Sequence, residues 1–183
     1  MIQRKNCLLR RIEERDLEMV LRWRNSDRIR HNMYTDHVIT LQEHKAWFEK
    51  TKQTDGALHL VFELENRPIG LVYYVGIDRH NGRAEWGFYL GVEDAPRGSG
   101  SALGVLGVEF AFMELKLRKL CGEVLGYNEA SLRFHRKLGF CEEGRLVRHV
   151  EKHGEYHDVV LFALFEEDWQ KNRKALEELA FHE

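Results

Sequence analysis

Only two prolines and three cysteines occur in the 183 residues of this chain, and neither type falls in a pattern that organises a fold. Cys7, Cys121 and Cys141 are an odd set without metal-type spacing, which excludes a disulfide framework and a zinc ribbon. A reduced, cytoplasmic protein is expected. No apolar run approaches the length that spans a bilayer, and the first residues lack the apolar core of a secretory signal, so the reading is a soluble, unprocessed chain with no membrane partner. An excess of charge of one sign is missing too: 28 basic against 30 acidic residues leave a net charge of -2. Such a balance sets up no whole-molecule field for nucleic acid, so any anionic ligand must be held locally. There is no Ser/Gly-rich linker and no internal repeat.

What is present is a large apolar share, 43% hydrophobic and 11% aromatic, enough for one sizeable core. The division expected is one domain over residues 1–168 and a polar, helical C-terminal extension over 169–183. Cys7 to Ile12 reads as a strand, and Asp16 as the N-cap of a helix carrying Leu17, Val20 and Trp23. Thr40 and Glu43 form a capping-box pattern that opens a second helix through Trp47 and Phe48. Ala57 to Leu64, Ile69 to Ile77 and Ala84 to Leu90 are rich in β-branched and aromatic residues and read as an antiparallel meander. After Pro96 and a glycine-rich loop comes a helix from Ala102 to Leu115 that is apolar nearly all round and must be largely buried. Lys119 to Leu125 is a further strand and Ala130 to Leu138 a short helix. Cys141 to Val150 and Tyr156 to Phe165 close the chain as a hairpin turning at Gly154.

Two constellations carry chemistry. The first is Arg97-Gly98-Ser99-Gly100-Ser101-Ala102, where a helix start leaves backbone N–H groups without partners and the helix dipole favours an anion such as a pyrophosphate. Arg97 adds a fixed positive charge, and the serines can add hydroxyl donors. By itself the loop is equally compatible with a structural turn. It lacks the Lys-Ser/Thr pair of a P-loop and the third glycine of a dinucleotide fingerprint. The second constellation is Glu123 on its strand with Asn128, Ser131 and His135 on the next helix, where Glu123 and His135 could flank one cleft as base and acid. His149, His153 and His157 recur every fourth residue, but they fall in the hairpin, so no metal site is expected.

Arg97-x-x-Gly100-x-Ala102, the buried helix after it, and the segment Asn128 to Phe140 together resemble the two cofactor motifs of the GNAT acetyltransferase superfamily, over roughly residues 7 to 168. Within it the chain is similar to the Rim-type branch that acetylates ribosomal-protein N termini. The resemblance implies an α/β (α+β) fold with a mixed, mostly antiparallel sheet of six to seven strands flanked by helices, and acetyl-CoA as cofactor. It implies Glu123 as general base, acting through water, and puts His135 where many relatives keep a tyrosine that protonates the departing thiolate. It implies Asn128 and Ser131 on the pantetheine arm or phosphates, and Leu90, Gly91 and Val92 on the pantetheine amides, with a bulge near Gly91.

The N-terminal third, with Leu21 to Asn25, His31 to His37, Glu43-His44 and Trp47-Phe48, resembles the aminosugar acetyltransferases of pseudaminic acid biosynthesis. That likeness implies a small-molecule amine acceptor, the 4-amino group of a UDP-linked 4-amino-4,6-dideoxy-N-acetylhexosamine. Arg24, Arg28, Tyr34, His37, Trp47, Tyr74 and Trp86 are the residues expected to hold it, since a uracil ring stacks on aromatics and a diphosphate needs cations. A protein N-terminal acetyltransferase and a non-catalytic acyl-CoA sensor remain alternatives, and a homodimer remains open.

Overall fold

The computed structural model describes residues 2–181. Seven strands form one sheet in the order β1-β2-β3-β4-β5-β7-β6. They are β1 (Cys7–Arg11), β2 (Ala57–Leu64), β3 (Arg67–Asp78), β4 (Arg83–Leu90), β5 (Lys119–Leu125), β6 (Cys141–Lys152) and β7 (Glu155–Phe165). Every neighbouring pair is antiparallel except β4 and β5, which run parallel. That parallel pair is joined only at Arg83, Ala84 and Glu85, opposite Lys119, Leu120 and Cys121. Beyond Glu85 the two strands separate and leave a V-shaped cleft in the middle of the sheet.

Side chains alternate between the two faces of each strand, and each face has its own core. On one side lie Leu60, Phe62, Val72, Tyr74, Trp86, Leu120 and Phe162 against α4 (Ser99–Met113) and α6 (Glu166–Ala180). Nine of the fifteen residues of α4 are buried, so it is sandwiched rather than merely amphipathic. On the other side Val61 and Leu71 meet Val20, Trp23 and Ile29 of α1 (Leu17–Asn25) and α2 (Asp27–Arg30), with α3 (Leu41–Lys52) alongside. The Thr40 capping box forms as its spacing predicts: Thr40 Oγ1 accepts from the Glu43 amide, and Glu43 Oε2 accepts from the Thr40 amide.

Three expectations are corrected. Asp16 makes no side-chain cap on α1; its carboxylate accepts from the Glu13 amide at 2.8 Å and pairs with Arg10 at 2.6 Å, tying the preceding 3₁₀ turn to β1. No bulge falls at Gly91, because the β3–β4 register runs unbroken from Gly70 opposite Leu90 to Val75 opposite Glu85. A glycine is needed there for another reason: a Cβ on Gly91 would lie 1.9 Å from the Trp23 ring. The C-terminal segment is not an appendage. Helix α6 begins at Glu166, across the expected boundary at 168, and buries Trp169, Leu176 and Ala180 in the same core as α4. Residues 182–183 of that expected extension lie outside the described residues.

Candidate active site

The cleft between β4 and β5 is a cavity of about 430 Å³, lined by Trp86 to Leu90 on one strand, Glu123 to Leu125 on the other, and by Asn128 with Ser131 and His135 of α5 (Glu129–Lys137), the helix it precedes. Its far end meets the start of α4 at Gly100. Gly98 caps that helix at φ 98°, a left-handed conformation that glycine takes without a Cβ penalty. The amides of Gly98, Gly100 and Ser101 have no protein acceptor among the described residues, which is the donor set an anion at a helix start requires. Arg97 is exposed and makes no ion pair among the described residues. A second cation stands close by, since Lys137 Nζ is 3.4 Å from Ser101 Oγ. These residues fit the diphosphate of a coenzyme A molecule.

Other members of the expected cofactor set have structural roles in the chain. Ser99 is fully buried and its hydroxyl donates to Pro96 O at 2.7 Å, so it shapes the turn and has no hydroxyl left for a ligand. Ala102 is core. Gly91 donates its N–H to Ile69 O, and its C=O accepts from Arg28 Nη2 at 3.2 Å. Val92 packs among the cores rather than along the cleft. Asn128 caps α5, its Oδ1 accepting from the Ser131 amide at 3.1 Å.

Glu123 and His135, expected as a pair, both reach this cavity but in unlike states. Glu123 accepts a hydrogen bond from the Tyr34 hydroxyl. His135 is 3% exposed, stacked on Phe162 and edged by Trp86 and Phe140, and its Nδ1 faces Ser131 O at 2.9 Å. Burial lowers its pKa, against a smaller opposing effect of the Ser131 carbonyl, so the ring is neutral at physiological pH. With Nδ1–H committed to the backbone, the imidazole has no proton to give a thiolate from that atom. His135→Phe, which keeps ring volume, is expected to hold kcat within about fivefold, whereas loss of a true general acid costs about a hundredfold or more. Steady-state kinetics with acetyl-CoA decide this.

A second cavity, of about 460 Å³, opens on the α1–α3 side of the sheet. Arg24, Tyr34, His37, Glu43, His44, Trp47, His59, Tyr73 and Tyr89 contribute to its wall. His44 stacks on Trp47, Trp47 meets His59 edge-on, and His59 stacks on Tyr73, a continuous aromatic column. Burial pushes His59 down to about 4 and lowers His44, so the column is neutral. Arg24 is half-buried, donates to Thr35 O at 2.7 Å, and makes no ion pair among the described residues; burial lowers its pKa.

Of the residues expected to hold an acceptor, Arg24, Tyr34, His37 and Trp47 come together here. Tyr74 does not: it lies on the α4 face, fully buried, with its hydroxyl donating to Gly107 O at 2.6 Å. Its neighbour Tyr73 lines the cavity instead, because successive strand residues face opposite ways. Trp86, 5% exposed, belongs to the α4-side core and lines the central cleft, and Arg28 also sits on that cleft. The two cavities meet in a smaller one of about 170 Å³ bounded by Met33, Tyr34, Tyr73, Glu85, Trp86 and Glu123. Glu85 escaped the sequence reading. Burial raises its pKa, and the negative charge of Glu123 raises it further. His59, Lys137 and Lys152 were missed as well.

A sheet split at one parallel pair, an anion-ready helix start at one end of the split and a carboxylate on its wall define an acyl-CoA-dependent transferase. Residues 6–141 match the acetyltransferase (GNAT) domain family, and the chain belongs to that family. It is an acetyl-CoA-dependent N-acetyltransferase. It is 30% identical to the SPbeta prophage-derived uncharacterized N-acetyltransferase YokL of Bacillus subtilis, over 92% of this chain and 94% of that protein. It is 25% identical to the spermidine N(1)-acetyltransferase of Escherichia coli, over 91% and 89%. The spermidine N-acetyltransferase of Vibrio cholerae, solved with CoA and spermine, shares the fold at a TM-score of 0.85 and 22% identity, covering 91% of this chain and 99% of that one. Among the described residues no helix is long and apolar enough to cross a membrane, and no group of side chains is arranged to hold a metal ion.

Proposed function

We propose that the enzyme acetylates the amino group of a nucleotide-linked aminosugar seated in the aromatic cavity, at the point where that cavity meets the central cleft. The observation that carries this reading is the 170 Å³ junction, which Tyr34, Tyr73 and Glu123 share with the larger cavities on either side. Acetyl-CoA, when bound, supplies an activated thioester carbonyl. The chain's residues do the rest. Gly98, Gly100, Ser101, Arg97 and Lys137 hold the diphosphate end, and Asn128, Ser131 and Leu90 border the arm. Glu85 and Glu123 draw the acceptor's ammonium into the junction, and Glu123 removes its proton, directly or through water; as the amine nitrogen bonds to the acetyl carbon the C–S bond breaks, and the thiolate leaves and takes its proton from solvent. Residues 2–181 act as one acetyltransferase domain, α6 included.

Arg24 supports the choice of acceptor. A half-buried guanidinium without a carboxylate partner repels a ligand that is cationic along its length and welcomes one that brings a diphosphate. The aromatic column suits a base ring. A polyamine is the second reading. Spermidine appears in the names of two relatives given above, and Glu43, Glu85 and Glu123 offer three carboxylates along the route. Release of CoA from acetyl-CoA with UDP-4-amino-4,6-dideoxy-N-acetyl-altrosamine or with spermidine separates the two. Turnover of the sugar alone is expected, and turnover of spermidine alone would overturn the sugar reading.

A further inference from the structure

We infer that Lys152, at the tip of the β6–β7 hairpin, is a positioning residue that clamps the 31–37 loop over the junction and so sets Tyr34 against Glu123. The inference rests on the reading of Glu123 as the group that receives the acceptor's proton. Of the twelve residues of β6, Lys152 alone is buried, at 4% exposure. A lysine is the residue type least suited to that position unless its charge is fully met. It is met: the ammonium has three N–H donors, and Met33 O, Tyr34 O at 2.7 Å and Asp36 Oδ2 at 3.4 Å stand around it. All three acceptors lie in one stretch of the chain, the irregular segment between α2 and α3.

The hairpin tip is a rigid post for such a clamp. Lys152 pairs with Glu155 across a two-residue turn whose His153 and Gly154 both have positive φ, at 54° and 84°. Met33 is also held by its amide on Arg30 O at 3.1 Å and by packing on the Val20, Trp23 and Ile29 core, but no other hydrogen bond among the described residues reaches the backbone of Tyr34. Arg24 grips Thr35 O and Arg30 grips Asp36 O, while Tyr127 donates to His31 O. The backbone carbonyl of Tyr34 therefore answers to Lys152, while its hydroxyl reaches Glu123. A residue of the last hairpin thus orients a carboxylate on β5 through a loop from the first third of the chain.

Hydrogen exchange and kinetics on the full chain test this together. Lys152→Met keeps the stem and removes the donors; amide exchange across residues 31–37 is expected to quicken about tenfold or more, with α4 unchanged. With the UDP-aminosugar, kcat is expected to fall about tenfold or more while the KM for acetyl-CoA stays at its wild-type value. Exchange at 31–37 equal to wild type overturns the clamp, as does an unchanged kcat in a variant whose loop is loosened. Asp36→Ala removes one of the three acceptors from a partly exposed site and serves if Lys152→Met does not fold; no gain in exchange there overturns the clamp equally. If wild type leaves the sugar untouched, the acceptor reading falls, the exchange result stands, and the kinetic comparison is made with spermidine.

Discussion

Glu123→Gln is expected to lower kcat by about 10² to 10⁴, the range that a positioned general base contributes, while leaving the KM for acetyl-CoA unchanged. Glutamine keeps the shape of the side chain and a carbonyl oxygen to accept from Tyr34, so the loop need not move; only the ability to take a proton is lost. A variant that retains kcat within about threefold would move the base role to Glu85. That outcome has a defined sign: part of the rise in the Glu85 pKa comes from the charge of Glu123, so the substitution lets Glu85 ionise more readily.

Trp169→Ala is expected to cost about 3–5 kcal/mol, the usual range for emptying a buried tryptophan site, and for a chain of this length to lower Tm by roughly 6–20 °C. The ring is 1% exposed, packs on Phe112 of α4 at 5.3 Å between centroids, and is covered by the guanidinium of Arg173. Thermal unfolding followed by circular dichroism decides it. A shift below about 2 °C would return α6 to the status of a dispensable extension. Since Phe112 lies on the helix whose first turn offers the anion site, the variant should also weaken acetyl-CoA binding more than acceptor binding.

The strands, the buried helix and the loop at its start were legible in the sequence because each carries a local signal: alternation, all-round apolarity, glycine beside a helix start. Parity separates Tyr73 from Tyr74 only once the strand register is known, which is why Tyr74 was expected at the acceptor. Counting by twos from Leu60 and Phe62 along β2 and across to Val72 puts Tyr74 with the core and Tyr73 with the opposite face. Glu85 and Lys152 were not legible. Their meaning depends on where β4 leaves β5 and on which loop lies over a hairpin tip, and neither is encoded within a short window. The role of His135 was not legible for the opposite reason. A titratable ring beside a motif suggests chemistry, but its protons are decided by Phe162, Trp86 and Ser131 around it. Asp16 likewise looks like a cap until Arg10 claims it.

The brevity of the β4–β5 pairing has a thermodynamic side. Three rungs hold the two halves of the sheet together, and the backbone from Trp86 to Leu90 has no strand partner on that side. A ligand that lies along that edge and bonds to it would restore a ladder the polypeptide leaves unfinished, and on the reading proposed above the acetyl donor would act as a removable strand. By mass action, a donor present at one hundred times its Kd adds about 2.7 kcal/mol to the folded state. The folded fraction of the enzyme then follows the supply of its own reactant.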